Sequence, residues 1–275
     1  MKNVLVSAFA DEYSSELDIQ LEMLAGNGIK YIEPRFLCGK NVADLTATEA
    51  RDAASKINCA GIGVSAIGSP LGKINLADDF DMHLQSARRV FENANILGAK
   101  NIRMFSFYLH EGKSPEECRL EVIDKLGRMI DLAQSHGVTL CHENEAKIYG
   151  ESPDRCLDIL QTFDGKLRAV FDMGNFVLGG YEPYRAYELL FDYVSYFHIK
   201  DALSRGAIVP AGMGEARIKE ILSDFKSCTK ADFFVSLEPH LETFAGLNAL
   251  TDVTFERASA DADFKPVIFV NSFDN

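Results

Sequence analysis

Eight short apolar or β-branched runs recur along the chain, at residues 4–8, 31–36, 62–67, 101–107, 138–142, 167–171, 194–199 and 233–237. Most are continuous rather than alternating, the pattern of parallel strands whose outer faces are covered by helices. The segments between them have legible helix ends. Ser114-Pro115-Glu116-Glu117 offers an N-cap serine, a proline at the first helical position and a capping-box glutamate, so a helix is expected to His136 with Gly137 as its stop. Thr46 with Glu49 makes a second capping box, Ser152-Pro153 opens a third helix, and Gly26-Asn27-Gly28 and Gly98 close two more. Alternating strand and helix predicts an α/β fold with a parallel sheet, and eight units favour closure into a (β/α)8 barrel, the TIM barrel architecture.

The 275 residues fit one such barrel without remainder, and no linker, low-complexity tract or charge block divides them, so residues 1–275 read as a single domain. Residues 245–264 read as the eighth helix and its surroundings. Residues 266–270 form an apolar tail, expected to strap the barrel or to meet a second copy.

Hydrophobic residues at 47% and charged residues at 25% supply material for a core and argue against disorder. A formal net charge of −13 repels polyphosphates, which excludes nucleic acid as an expected partner. Six cysteines are spread without a CxxC pair, so no zinc ribbon or disulfide framework is expected and a reducing cytoplasm suits them. The first residues carry too short an apolar stretch for a signal peptide, and no run of about eighteen apolar residues predicts a membrane span.

Four of the later runs end on side chains that a divalent metal needs. They are Glu143 in VTLCHENE, Asp172 in AVFDMGN, His198 in VSYFHIKDA and Glu238 in FFVSLEPH. Each interval is long enough for one strand, one loop and one helix, so the four belong to strands five to eight. Catalytic groups of such barrels sit at the C-terminal strand ends. One imidazole and three carboxylates make a hard site suited to one divalent ion, Mn²⁺, Zn²⁺, Co²⁺ or Mg²⁺, and the set does not choose among these.

These segments resemble the sugar isomerase and epimerase family of the xylose isomerase-like TIM barrel superfamily, which also includes endonuclease IV. The matching text is GVTLCHEN (137–144), FDMGNF (171–176), FHIKD (197–201), GMG (212–214) and SLEPH (236–240), with IGSPLGKI (67–74) similar to a third-strand loop of sugar phosphate isomerase-like members. The likeness runs in order over nearly the whole chain. It implies that Glu143, Asp172, His198 and Glu238 hold one metal ion, with Glu143 and Glu238 as opposed catalytic groups across a small sugar, sugar acid or sugar phosphate. One glutamate would take a proton from carbon and the other return it, through an enediolate. The resemblance is also compatible with a homodimer.

Further residues are candidates for the substrate. Glu33 and Arg35 in YIEPR end strand two, where family members place substrate-contacting groups; an internal salt bridge is the other reading. Lys200 projects from the same strand face as His198, toward substrate or into an ion pair with Glu143 or Asp201. Arg205 lies near where epimerase-like members place a substrate arginine. His240 either lines the site or caps the next helix, Lys73 either closes over an anion or is solvated, and His142 reads as structural. Asn175 stands where relatives often have a histidine in Asp-x-x-His, and reads as a substrate hydrogen-bond partner. Endonuclease IV-like sites need several more histidines than the six here (His83, His110, His136, His142, His198, His240) provide at strand ends. A lyase of the same fold, such as an inosose or dehydroshikimate dehydratase, and a non-catalytic sugar-binding barrel are the competing expectations.

Overall fold

The structure is a computed structural model that describes residues 3–241; the segments 245–264 and 266–270 lie outside the described residues. The eight expected strand positions are all occupied. They are β1 (Val4–Ala8), β2 (Tyr31–Ile32), β3 in two pieces (Gly63–Val64 and Ile67–Gly68), β4 (Asn101–Met104), β5 (Thr139–Glu143), β6 (Leu167–Asp172), β7 (Val194–Ile199) and β8 (Phe233–Leu237). A continuous parallel ladder runs β1-β8-β7-β6-β5-β4 and on to the second piece of β3. The first piece of β3 instead pairs with β2, Tyr31 opposite Gly63. The Glu33 amide donating to the Ala8 carbonyl at 3.0 Å joins β2 to β1 and closes the ring.

Strands two and three are more broken than the sequence suggests. Pro34 has no amide to give the ladder, so β2 stops at Ile32 and the chain folds into an antiparallel hairpin of Phe36–Leu37 with Lys40–Asn41. Its two-residue turn is Cys38-Gly39, both at positive φ (52° and 73°), as a turn matched to strand twist requires. Strand four ends at Met104 rather than Phe107. Beyond it the Phe105 and Phe107 amides donate to Leu71 and Gly72 carbonyls at 2.8 and 3.0 Å. This close approach explains Gly72, at φ +84°, where a Cβ would lie 1.9 Å from the Phe105 oxygen.

The helices follow their caps. They are α1 (Leu17–Gly26), α2 (Ala47–Cys59), α3 (Phe80–Leu97), α4 (Pro115–Ser135), α5 (Pro153–Thr162), α6 (Met173–Leu178), α7 (Pro183–Leu190) and α8 (Ile218–Cys228). Both capping boxes form, Thr46 with Glu49 and Ser114 with Glu117, and Ser152 caps α5 through the Arg155 amide. The short α6, set directly after β6, is an addition the sequence pattern does not announce. Apolar helix faces cover the barrel; around α8, Phe225 meets Phe197 and Phe233 edge-on at 4.9 Å each. Inside the barrel Ala66, Cys141, Val170 and Tyr196 make an apolar floor with Phe234. Among the described residues no helix is long and apolar enough to cross a membrane.

Candidate metal and substrate site

Above that floor the barrel interior turns polar. Parallel register sets His198 of β7 opposite Asp172 of β6 and Ser236 of β8, while the Glu238 amide donates to Ile199 O at 3.1 Å. Glu143, Asp172, His198 and Glu238 are all buried, and one ligand atom from each lies within 4.8 Å of every other. Local structure aims them. Asp172 is the N-cap of α6, its Oδ1 accepting from the Asn175 amide at 2.9 Å, and the Asn144 side chain bonds the Asp172 backbone at both its carbonyl and amide, 2.9 and 3.1 Å.

His198 shows which of its nitrogens faces the cluster. Nδ1 is 3.1 Å from Glu143 Oε1 and 3.4 Å from Glu238 Oε2, whereas Nε2 turns to Glu33 Oε1 at 3.3 Å. Burial opposes charge on the imidazole, but Glu143 and Glu33 outweigh it and hold its pKa well above the ordinary value. Burial likewise raises Glu143, yet His198 and Arg103 overcome it and hold the carboxyl at about 2. At Asp172 burial wins over Lys200 and pushes the value up to about 7. A divalent cation held by this cluster would take the place of the His198 proton and release it.

The residues fit a divalent ion. The donor set is three carboxylates and one imidazole, and Glu238 Oε2 is buried without a hydrogen bond of good geometry, although Lys200 Nζ lies 3.1 Å away. The ammonium is aligned instead on Asp172 Oδ2 at 2.8 Å and Asn175 Oδ1 at 3.2 Å. A second group, Glu12, Glu238 and His240, is also close enough to ligate, but the Arg35 guanidinium already occupies it, 3.0 Å from Glu238 and 3.5 Å from Glu12.

Glu33 lies on the far side of the His198 ring from the carboxylate cluster. It accepts from Tyr196 Oη at 2.9 Å and from Ser236 Oγ, and faces His198 Nε2. A carboxylate there fixes the ring and raises its basicity toward a metal. Glu33→Gln is therefore expected to weaken metal binding about 10- to 100-fold, measured by competition against a chelating dye; unchanged affinity would remove Glu33 from that role.

Arg35 is fully buried and bonds Asp11 Oδ2 at 2.9 Å besides Glu238, so the salt-bridge reading describes it. Burial, outweighing Arg35, raises Asp11 and lifts Glu12 to about 8. His240 lies against the same group, its Nε2 3.3 Å from Glu12 and 3.5 Å from Glu238. Lys200 pairs with Asp172 and Glu238, not with Glu143 or Asp201 as expected. Asp201 instead clamps the GMG loop, accepting from the Gly212, Gly214 and Ala216 amides at 2.8, 2.9 and 3.0 Å. The fit leaves no room for a Cβ at Gly214, which would lie 2.2 Å from Asp201 Oδ1.

Asn175 joins the cluster: its Nδ2 donates to Asn144 O at 3.0 Å and reaches Glu143 Oε1 at 3.4 Å. Lys73 bridges to Glu145 at 2.9 Å on the rim. Arg205 is placed apart, exposed on the turn of the antiparallel Asp201–Ala202 and Ile208–Val209 hairpin, because that hairpin carries it out of the barrel mouth. His142 is structural as expected, bonded to Ser106 Oγ at 2.9 Å. The sequence reading missed Arg103, whose Nη1 donates to Glu143 Oε2 at 3.1 Å, and the acids Asp11 and Glu12. A lone arginine inside the apolar run NIRMF was the available signal for the first.

No curated protein matches the sequence. Solved structures of the same fold include the probable 3-DHS dehydratase AsbF of Bacillus anthracis, at 19% identity and TM-score 0.72 over 86% of this chain and 92% of that one. Another is the IOLI protein described with a binding zinc atom, at 20% identity and TM-score 0.71 over 87% and 89%. A third is the 3-keto-D-glucoside 4-epimerase YcjR of E. coli, at 13% identity and TM-score 0.68 over 88% and 94%. At these identities the likeness concerns the fold. The family model for the xylose isomerase-like TIM barrel matches residues 21–252, and on that match and the closed eight-stranded ring the chain belongs to the xylose isomerase-like TIM barrel family.

Proposed function

We propose that this chain is a divalent-metal-dependent isomerase or epimerase of a small sugar or sugar acid. The observation that carries the reading is that Glu143 and Glu238, from strands three apart in the barrel, both face Nδ1 of one buried imidazole. Glu143, Asp172, His198 and Glu238 would hold the ion. When bound, it supplies Lewis-acid polarisation of a carbonyl and its neighbouring hydroxyl. One of the two glutamates removes the proton from the hydroxyl-bearing carbon next to the carbonyl, leaving an enediolate. Delivery by the opposed glutamate inverts that carbon, and return to the neighbouring carbon interconverts aldose and ketose. Lys200 and Asn175 stand beside the same carboxylates to donate to substrate oxygens as negative charge grows on them.

A dehydratase is the second reading, and Glu12 is what favours it. Expelling water after the same proton abstraction needs a further acid, and Glu12 is a half-buried carboxyl grouped with Glu238 and His240, its pKa lifted to about 8 by desolvation. The test common to both is metal content by elemental analysis in wild type and His198→Ala. About one divalent ion per chain, absent from the variant, is the expected result; no ion in either after reconstitution would overturn both readings in favour of a sugar-binding barrel.

A further inference from the structure

Arg103 is almost fully buried on β4, yet only part of its guanidinium is used. Nη1 donates to Glu143 Oε2 at 3.1 Å and lies 3.7 Å from Glu238 Oε1. Nε and Nη2 are buried and have no acceptor among the described residues. These two nitrogens lie along one edge of the guanidinium, and their N–H bonds are parallel. Arg119 shows the same edge filled: its Nε donates to both Asp158 oxygens at 3.1 and 2.9 Å and its Nη2 to Oδ1 at 2.7 Å.

Two charged donors buried without acceptors are costly, and the chain bears that cost beside its ligand cluster. Its neighbours include the Phe9 and Phe105 rings, which offer no oxygen and whose centroids are 5.3 and 4.9 Å from the Arg103 guanidinium carbon. Arg35, the other interior arginine, differs in having Asp11, Glu12 and Glu238 all in reach.

We propose that the Nε/Nη2 edge of Arg103 is a subsite for a carboxylate of the substrate, so that the site takes hydroxy- or keto-acids of the sugar class rather than neutral sugars. This rests on the metal-dependent reading given above. A planar monoanion fills two parallel donors at once, which a hydroxyl oxygen does not. A phosphate dianion would add a second charge in a space already lined by acids. Lys73, the cation at the rim, is engaged with Glu145. Arg103 and Lys200 are the cations set against Glu143 and Glu238 there, at 3.1 Å each. Because Arg103 also holds Glu143, it would fix the distance between the substrate's acid group and the atoms that react.

The test is calorimetric binding to the metal-loaded protein of three matched pairs: glucuronate against glucose, galacturonate against galactose, and quinate against inositol, with glucose 6-phosphate as a further probe. At least one acid is expected to bind about ten- to a hundredfold tighter than its neutral partner. In Arg103→Lys, which keeps a cation against Glu143 but lacks the parallel edge, that preference should fall to within about threefold while metal content stays unchanged. The subsite is overturned if no acid is preferred, if glucose 6-phosphate binds tightest, or if Arg103→Lys keeps the preference. Failure of the wild type to hold metal would strike the functional reading itself, and is read separately by elemental analysis.

Discussion

Glu238→Gln is expected to abolish turnover, with exchange of the substrate's carbon-bound proton into solvent falling about 10²- to 10⁴-fold, the usual worth of a positioned general base. The amide keeps the size of the side chain, and its oxygen can still accept from Arg35 Nη1, now 3.0 Å from Glu238 Oε1. What it loses is the capacity to take a proton. Gln is also a poorer ligand, so exchange is to be expressed per bound ion, with metal measured on the same sample. A thermal midpoint close to wild type separates lost chemistry from lost fold. Wild-type exchange in this variant would sink the proposed mechanism.

Arg35→Met is expected to cost about 3–5 kcal/mol of stability, the usual penalty for breaking a buried ion pair from one side. The thioether fills much of the volume, but Asp11, Glu12 and Glu238 then share the interior without the guanidinium that now bonds or faces all three. The sign of the pH dependence follows. Burial already raises Asp11 and Glu12 against the pull of Arg35, and without it both rise further in the folded state. Groups raised on folding favour the folded state at low pH and oppose it once pH passes their unfolded values. The deficit should therefore be largest near neutral pH and shrink in acid, as read from urea midpoints at the two conditions. A deficit independent of pH would assign the loss to packing against Phe9, whose ring centroid lies 4.7 Å from the Arg35 guanidinium carbon.

The strands of the second half were legible because each is one continuous apolar run with a polar residue at its end, and register then brought those ends together. The first half was legible only in outline. The run 31–36 contains Pro34, which cannot donate to a ladder, and the run 62–67 serves two neighbours in succession, Tyr31 pairing Gly63 and then Ile67 pairing Ile102. Hydrophobicity reports that a segment is buried, and it does not report which neighbour the segment bonds. The extension of strand four toward Phe107 failed for a related reason, since those residues are buried but bond to the loop after β3.

That Glu143, Asp172, His198 and Glu238 come together was legible because metal chemistry restricts the residue types to look for at strand ends. Interior ion pairs were not, because pairing depends on side-chain reach across the barrel. Lys200 shares a strand with His198, yet its partners come from β6 and from the end of β8. Glu33, read as a substrate contact or one half of an internal salt bridge, sits beneath the imidazole. Arg205 was placed by distance along the chain from His198, a measure that a hairpin defeats. Arg103 carried no motif at all, and its unfilled edge is visible only once the surrounding donors and acceptors are counted.

The broken third strand divides the barrel mechanically. From β4 through β8 to β1 each strand pairs with the next, and Glu143, Asp172, His198 and Glu238 all belong to that arc. From β1 to the second piece of β3 the wall is held by short pairings and single bonds, with a proline, a hairpin and a glycine crossing between them. The cluster thus resides in the arc of continuous pairing, and the other arc, which carries Lys73, sends Glu33 and Arg35 against it from behind. Substitutions and insertions in the loops of that second arc can therefore reshape the barrel mouth while the proposed metal centre behind it is kept.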